Sequence, residues 1–262
     1  MLVTRYLRWS GLRAASARGW WLVTAVYLVV EADLTPFQLV FIGTAQGLVV
    51  VLAEVPAGVF ADTVGRRASI VVAHLASGTG MVLVAFVTDY PLVLLSQCLW
   101  GVGWAFTSGA DVAWITDELG DRSVVDRVLA RSARWSLAGG AAGTVVFGLL
   151  AGATSLRLAI VCGGSLMLLL GVAVVARFPE TAFVPVATSR WRHAASVFSG
   201  GVRVARADRA VLAIILATLL VNGGHEGFGR LQDLRLLSLG FAGGDDGSTP
   251  VVWFTVLAVV GL

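Results

Sequence analysis

Apolar residues in this chain come in blocks close to twenty residues long, separated by short charged segments. About twenty apolar residues make a helix of about 30 Å, the hydrocarbon thickness of a bilayer. A soluble helix or strand would carry its apolar residues on one face only, at a regular period. Charged residues make up 13% of the chain, about half the usual share of a soluble domain. The mean hydropathy is +0.86. The blocks predict an all-α integral membrane protein.

Six spans are expected, at Gly11 to Val30, Phe37 to Phe60, Ala68 to Val87, Pro91 to Ala113, Trp135 to Ala153 and Leu156 to Val175. A seventh runs near Ala207 to Gly224. An eighth begins at Val251 and reaches Leu262 after twelve residues, too few to cross, so the chain reads as cut. The organisation is then an N-terminal six-helix transmembrane bundle (1–176), a cytoplasmic linker (177–208) and the incomplete start of a C-terminal bundle (209–262). The linker contains Pro179, Pro185 and the run Arg190-Trp-Arg192, read either as an amphipathic piece on anionic headgroups or as a plain solvated connection.

The first span is the weakest, because Arg13 and Arg18 lie in its first half. The distribution of arginines supports it nonetheless. All nineteen basic residues are arginine. With the N-terminus inside, sixteen of them, among them Arg5, Arg8, Arg13 and Arg18, go to the cytoplasmic side. Only Arg157, Arg230 and Arg235 go outside, beside Glu31, Asp33, Asp89, Asp245 and Asp246. Deleting one span scrambles this alternation. The same bias accounts for the net charge of +3 and the pI near 9.4 without a nucleic-acid partner.

Chemistry-bearing clusters are sparse. Cys98 and Cys162 lie in different apolar runs, and His74, His193 and His225 have no ligand spacing, so neither a disulfide framework nor a metal site is expected. A phosphate-cradling glycine loop is missing, and Ser108, Asp111 and His74 do not assemble a nucleophile and base by spacing. The reading is of a protein without a cofactor, and not of an enzyme.

The polar residues inside or between the apolar blocks need a reason. Between the second and third spans stands Gly58-Val-Phe-Ala-Asp62-Thr-Val-Gly65-Arg66-Arg67. Gly58 would let helices approach closely, Gly65 would take a positive φ at the turn, and Asp62 would meet a helix N-terminus or pair with an arginine. Arg66 and Arg67 would hold the loop on the inner side; an ordinary short turn with topogenic arginines is the plainer reading. Glu54 lies within the second span, two residues before Pro56. It is read as helix packing or gate polarity, as substrate or proton handling, or as an end-of-span site near water. Asp111 stands near the cytoplasmic end of the fourth span, with Asp117 and Glu118 just outside it. Either it belongs to a cation path or it caps a helix or pairs with Arg131 or Arg134. Trp100, Trp104 and Trp114 would line a cavity for an aromatic or amphiphilic compound, or anchor the helices at the interface. Gly101, Gly103, Gly109, Gly139, Gly140, Gly143, Gly148 and Gly152 would allow close helix crossings.

The stretch Gly58 to Arg67 resembles the signature loop between helices two and three of the major facilitator superfamily of secondary transporters. The plan of six helices, a central linker and a second set resembles that family over the whole chain. The runs Leu52-Ala-Glu54-Val-Pro56-Ala-Gly58 and Trp100 to Glu118 are similar to a bacterial subgroup of drug or macrolide efflux carriers. The run Glu226-Gly-Phe-Gly-Arg230-Leu resembles that subgroup's seventh-helix ending but lacks the acid expected near Gly229. The resemblance implies a gate at Gly58, Asp62, Gly65, Arg66 and Arg67, in which Asp62 locks the cytoplasmic side against the other half. It also implies a substrate or ion path that would use Glu54, Trp100, Trp104 and Asp111. Many proton exchangers of the superfamily carry an arginine where this chain has Trp100, a departure from the usual proton-coupling arrangement. The implied activity is alternating-access efflux of a small amphiphilic or drug-like compound across the bacterial cytoplasmic membrane, with a proton or cation as coupling ion. A truncated, non-transporting membrane protein with a structural or regulatory role is the alternative, and self-association would be needed if half a carrier is to work.

Overall fold

The computed structural model describes residues 1–184 and 206–238. Eight helices lie within them: α1 (Leu2–Val30), α2 (Pro36–Thr63), α3 (Arg66–Val84), α4 (Tyr90–Thr107), α5 (Ala110–Leu119), α6 (Arg122–Ala153), α7 (Leu156–Arg177) and α8 (Arg209–Ser238). The run Arg190-Trp-Arg192, His193 and the apolar stretch from Val251 lie outside the described residues.

Helix starts are set by polar caps that precede the apolar runs. Thr35 and Gln38 form a reciprocal capping box, with Pro36 in the first turn of α2. The Asp121 carboxylate accepts from the Ser123 amide at 2.8 Å to start α6. The Ser123 hydroxyl and backbone amide, with that of Val124, hold this carboxyl below the usual range. Ser155 accepts from the Leu158 amide at the start of α7. Helices therefore begin before the apolar windows do: α6 at Arg122 where Trp135 is expected, and α1 at Leu2 where Gly11 is expected. At its other end α8 runs on to Ser238, past the expected end at Gly224. The fourth span is interrupted. It stops at Thr107, turns through Ser108 and Gly109 (φ 78°), and resumes as α5, whose last turn holds Asp117 and Glu118, residues expected outside the helix.

Among the described residues, five segments are long and apolar enough to cross a membrane: Pro36–Thr63, Arg66–Val84, Tyr90–Leu119, Arg122–Ala153 and Leu156–Arg177. The arginines of α1 keep it below that standard by composition. What places it in the bundle is packing, most extensively along α6 and then along α7. Gly11, Ala15 and Gly19 recur every fourth residue on α1 and face Gly139, Gly143 and Phe147, spaced alike on α6. A methyl group on Gly139 would overlap the Gly11 carbonyl, and one on Gly143 would overlap the Ala15 carbonyl. Backbones meet directly along this seam. Gly103 of α4 is equally tight against Ala73 and Ser77 of α3. Gly58, by contrast, has open space where a side chain would begin, so it makes no close crossing with the described residues.

Two apolar clusters fill the bundle. One contains Trp20, Tyr27, Met81, Phe147 and Ile160, and the other contains Tyr6, Trp9, Ile70, Trp114 and Phe178 near the arginine-rich end. That end is closed by the segment after α7. Phe178 stacks on Trp114 with ring centroids 4.3 Å apart, and Trp114 Nε1 donates to the Pro179 carbonyl at 2.8 Å. The Glu180 carboxylate accepts from the Arg67 amide at 2.8 Å and thereby caps α3. It sits where a side chain on Gly65 would begin, and Gly65 has φ 147°. Glu118 of α5 accepts from the backbone amides of Thr181 and Ala182. The strap therefore joins α3, α5 and α7.

Two outcomes follow for thermal melts of the chain in detergent. Gly139→Ala lowers stability by about 1–3 kcal/mol through overpacking at the seam, whereas Gly58→Ala changes it by no more than about 1 kcal/mol, in the stabilising direction. Equal effects at the two positions would contradict the seam. Gly65→Ala and Glu180→Gln each destabilise, and the double variant falls short of their sum by at least about 0.5 kcal/mol because both remove one contact. Full additivity would separate Gly65 from Glu180.

Candidate functional site

Between the two apolar clusters lies a cavity of about 350 Å³. Five helices line it. From α1 come Arg13, Ala14, Ala17, Arg18 and Trp21, a single stripe of that helix by their spacing. From α3 come Ala73, His74 and Ser77; from α4 come Trp100, Trp104 and Thr107; Ser136 of α6 and Met167 of α7 complete the wall. The seam with α6 fixes this orientation, because Gly11, Ala15 and Gly19 occupy the neighbouring face of α1.

The aromatic wall is continuous. Trp20 and Trp100 stack with centroids 6.0 Å apart, Trp100 and Trp104 with centroids 5.6 Å apart, and Trp21 tilts against Trp100 at 5.7 Å. Trp20 is anchored by donation from Nε1 to the Met81 carbonyl. Trp104 remains half exposed.

The polar wall is organised by α1. The Arg13 guanidinium lies 3.5 Å from the Asp111 carboxylate and 5.0 Å above the Trp9 ring. Trp9 Nε1 donates to His74 Nε2 at 3.1 Å, so the other ring nitrogen carries the proton and donates to the Ile70 carbonyl at 2.8 Å. His74 is thereby held as one neutral tautomer. Arg18 passes over Gly140, where a side-chain methyl would meet its Cγ at 3.2 Å. It makes no ion pair or hydrogen bond with the described residues.

Beyond Trp21 a smaller pocket of about 30 Å³, room for about one water, is lined by Thr24, Gln97 and Arg230 among others. Arg230 donates to Gln46 Oε1 at 2.6 Å and stands 5.2 Å over the Trp21 ring. Thr24 Oγ1, Gln46 Nε2 and Gln97 Nε2 are buried without a partner among the described residues.

Trp100 and Trp104 thus meet in the cavity. Asp111 stands in the first turn of α5 and reaches it through Arg13. Its partner is Arg13, where the loop arginines Arg131 and Arg134 are expected. Glu54 is exposed on α2, apart from these lining residues. The loop residues gather at the arginine-rich end: Asp62 pairs with Arg66, and Arg66 lies 3.5 Å from Asp117. Arg67 Nη1 donates to the Phe178 carbonyl. Arg13 and Arg18, counted with the cytoplasmic arginines on sequence grounds, both line the cavity: Arg13 is half-buried beside the Asp111 carboxylate, and Arg18 is exposed. The stripe 13, 14, 17, 18, 21 carried that signal, as did the His74 and Ser77 pair one turn apart.

The Major Facilitator Superfamily profile matches residues 11–262. No curated protein matches the sequence. Among solved structures the chain is similar to the nucleoside transporter NupG, with a TM-score of 0.79 at 15% identity over 98% of this chain and 64% of that one. It is also similar to the peptide transporter POT in complex with alafosfalin, with a TM-score of 0.61 at 17% identity over 82% of this chain and 46% of that one. A POT family transporter bound to a thioalcohol-conjugated peptide gives 0.53 at 12% identity, over 92% and 50%. The chain spans about half to two thirds of these proteins, and at such identities the likeness is one of fold. With the profile covering nearly the whole sequence, the chain belongs to the Major Facilitator Superfamily of multi-pass membrane proteins.

Proposed function

We propose that the protein is a secondary transporter that exports a small amphiphilic or drug-like compound by alternating access. The observation that carries this reading is the cavity among α1, α3, α4, α6 and α7, lined by three tryptophans and two arginines inside an apolar bundle. A site of this kind combines a large aromatic surface for binding with a few polar groups for orientation. Transport requires no bond making. Substrate binding and an ion gradient shift the balance between states that open the cavity to either side. Nucleosides and peptides, the solutes named for the solved relatives, are small enough to suit an enclosure of this scale.

The gate in this proposal is the arginine-rich end. Asp62, Arg66 and Asp117 tie α2, α3 and α5 together, while Gly65 and Arg67 receive Glu180 from the strap. Gly58 stands on the open side of α2, the side available to a partner helix. Opening at this end would break such contacts together, which gives the two-state behaviour that alternating access needs. The membrane is the cytoplasmic one, with the N-terminus inside in accord with the arginine bias, and a proton or cation supplies the coupling. Glu54, the one α2 carboxylate far from the loop, and Asp111 are the groups proposed to respond to that ion. A second copy of the chain would complete the walls around the cavity.

Purified chain in liposomes with an imposed pH gradient should move a fluorescent amphiphilic dye faster than protein-free vesicles do. Asp62→Asn should slow that movement by about tenfold while leaving dye binding in detergent within about twofold, since the gate does not touch the cavity. Dye movement at the rate of empty vesicles would contradict the transport reading, and an unaltered rate for Asp62→Asn would contradict the gate.

A further inference from the structure

Arg18 stands thirteen residues from Arg5 and thirteen from Glu31 along an unbroken helix. Arg5 marks one end of the bundle, where its guanidinium donates to the Arg177 carbonyl, and Glu31 marks the other, paired with Arg157. At 1.5 Å per residue the Arg18 backbone is about 20 Å from each end, which is the middle of a bilayer. A guanidinium at that depth is expensive unless it meets water or an anion, and it is a mark of function by default.

The surroundings of Arg18 define what it can take. Among the described residues, no carboxylate lines the cavity. Asp111, the acid nearest through Arg13, is already engaged by that arginine. His74 is neutral by its hydrogen bonds and adds no negative charge. The same cavity is lined by Trp21, beside Arg18 on the α1 stripe, and by Trp100 and Trp104 of α4, with neighbouring ring centroids 5.6 to 5.7 Å apart. The cavity volume of about 350 Å³ is at the lower end for small-molecule sites.

We propose that this cavity binds an organic anion carrying an aromatic ring, its carboxylate or sulfonate on Arg18 and its ring against Trp21, Trp100 and Trp104. As the substrate of the transporter the anion rests on the function proposed above, but its binding stands on the cavity alone. Guanidinium pairs with such oxyanions in bidentate fashion, and stacking on indole selects for the ring. Cationic amphiphiles, the common probes for export of drug-like compounds, are disfavoured here because the Arg18 guanidinium repels them and no lining carboxylate among the described residues pairs with them.

The test uses two probes that share one ring, naphthalene-2-sulfonate and 2-naphthyltrimethylammonium, titrated calorimetrically into the 262-residue chain in a neutral detergent. The sulfonate is expected to bind at least about tenfold more tightly than the ammonium. Arg18→Gln should weaken the sulfonate by about tenfold, Arg18→Lys, which keeps the charge and loses the bidentate geometry, should weaken it by less than Arg18→Gln does, and Arg157→Gln, outside the cavity, should leave it unchanged. Gel filtration checks the fold of each variant. Should Arg18→Gln misfold, the charge preference of the unaltered chain and the loss of binding in Trp104→Ala decide the matter. Equal or tighter binding of the ammonium overturns the proposal, as does undiminished sulfonate binding by a folded Arg18→Gln. The same probes in liposomes separate the two readings. Movement of the ammonium alone leaves the transporter standing and overturns the anion, whereas selective sulfonate binding with no movement of either probe supports the anion and counts against transport.

Discussion

The contact on which the bundle depends is the direct approach of two backbones, α1 and α6, through Gly11, Ala15, Gly19, Gly139 and Gly143. Lipid tails are as apolar as leucine, so burial of apolar surface gives helices little reason to associate inside a bilayer; close packing and interhelical hydrogen bonds take its place. This matters most for α1, which carries Arg5, Arg8, Arg13 and Arg18 and would be a poor membrane helix alone. The seam holds it against α6. Ser16 adds a buried hydrogen bond to the Gly163 carbonyl of α7, and Trp20 adds one to the Met81 carbonyl of α3.

From that anchoring the polar centre follows. With one face of α1 committed to α6, the stripe of Arg13, Ala17, Arg18 and Trp21 lines the cavity, with Arg18 exposed there and the other three half-buried. Each polar group that enters the interior then needs a partner. Arg13 has Asp111, brought within reach because the fourth span breaks at Ser108 and Gly109 and restarts with Asp111 in its first turn. His74 has Trp9 and Ile70. Arg18 is left with the cavity. A bundle optimised only for stability would place no guanidinium there, and this local conflict between packing and charge is the kind of feature expected where a protein acts.

Much of the fold was legible in the amino-acid sequence. Bilayer thickness imposes a length on apolar blocks, and the swing of arginines between loops kept α1 in the count despite its charge. Legibility ended where one pattern served two purposes. Arg13 and Arg18 read as topogenic because a count of arginines by loop carries no depth, and only the spacing 13, 17, 18, 21 hints at a face. Gly58 and Gly143 look alike in sequence, yet one faces open space and the other touches a backbone, a difference that arises from the neighbouring helix. The break at Ser108 hid among glycines that membrane helices tolerate anyway. The strap was illegible for the same reason: Phe178, Pro179 and Glu180 gain their roles from Trp114 and Arg67, which lie 64 or more residues away in sequence.

The central claim is that the α1 stripe faces a polar, water-accessible cavity at mid-depth while the neighbouring surface of α6 faces lipid. Replacing Cys98 and Cys162 by serine and introducing a single cysteine at Ala17, which lines the cavity, or at Val146, exposed on α6 near the seam with Gly19, tests it directly. In liposomes given a charged, membrane-impermeant maleimide on both sides, the account predicts rapid labelling of Ala17→Cys and little of Val146→Cys. Equal labelling at the two positions, or faster labelling at Val146, would contradict it.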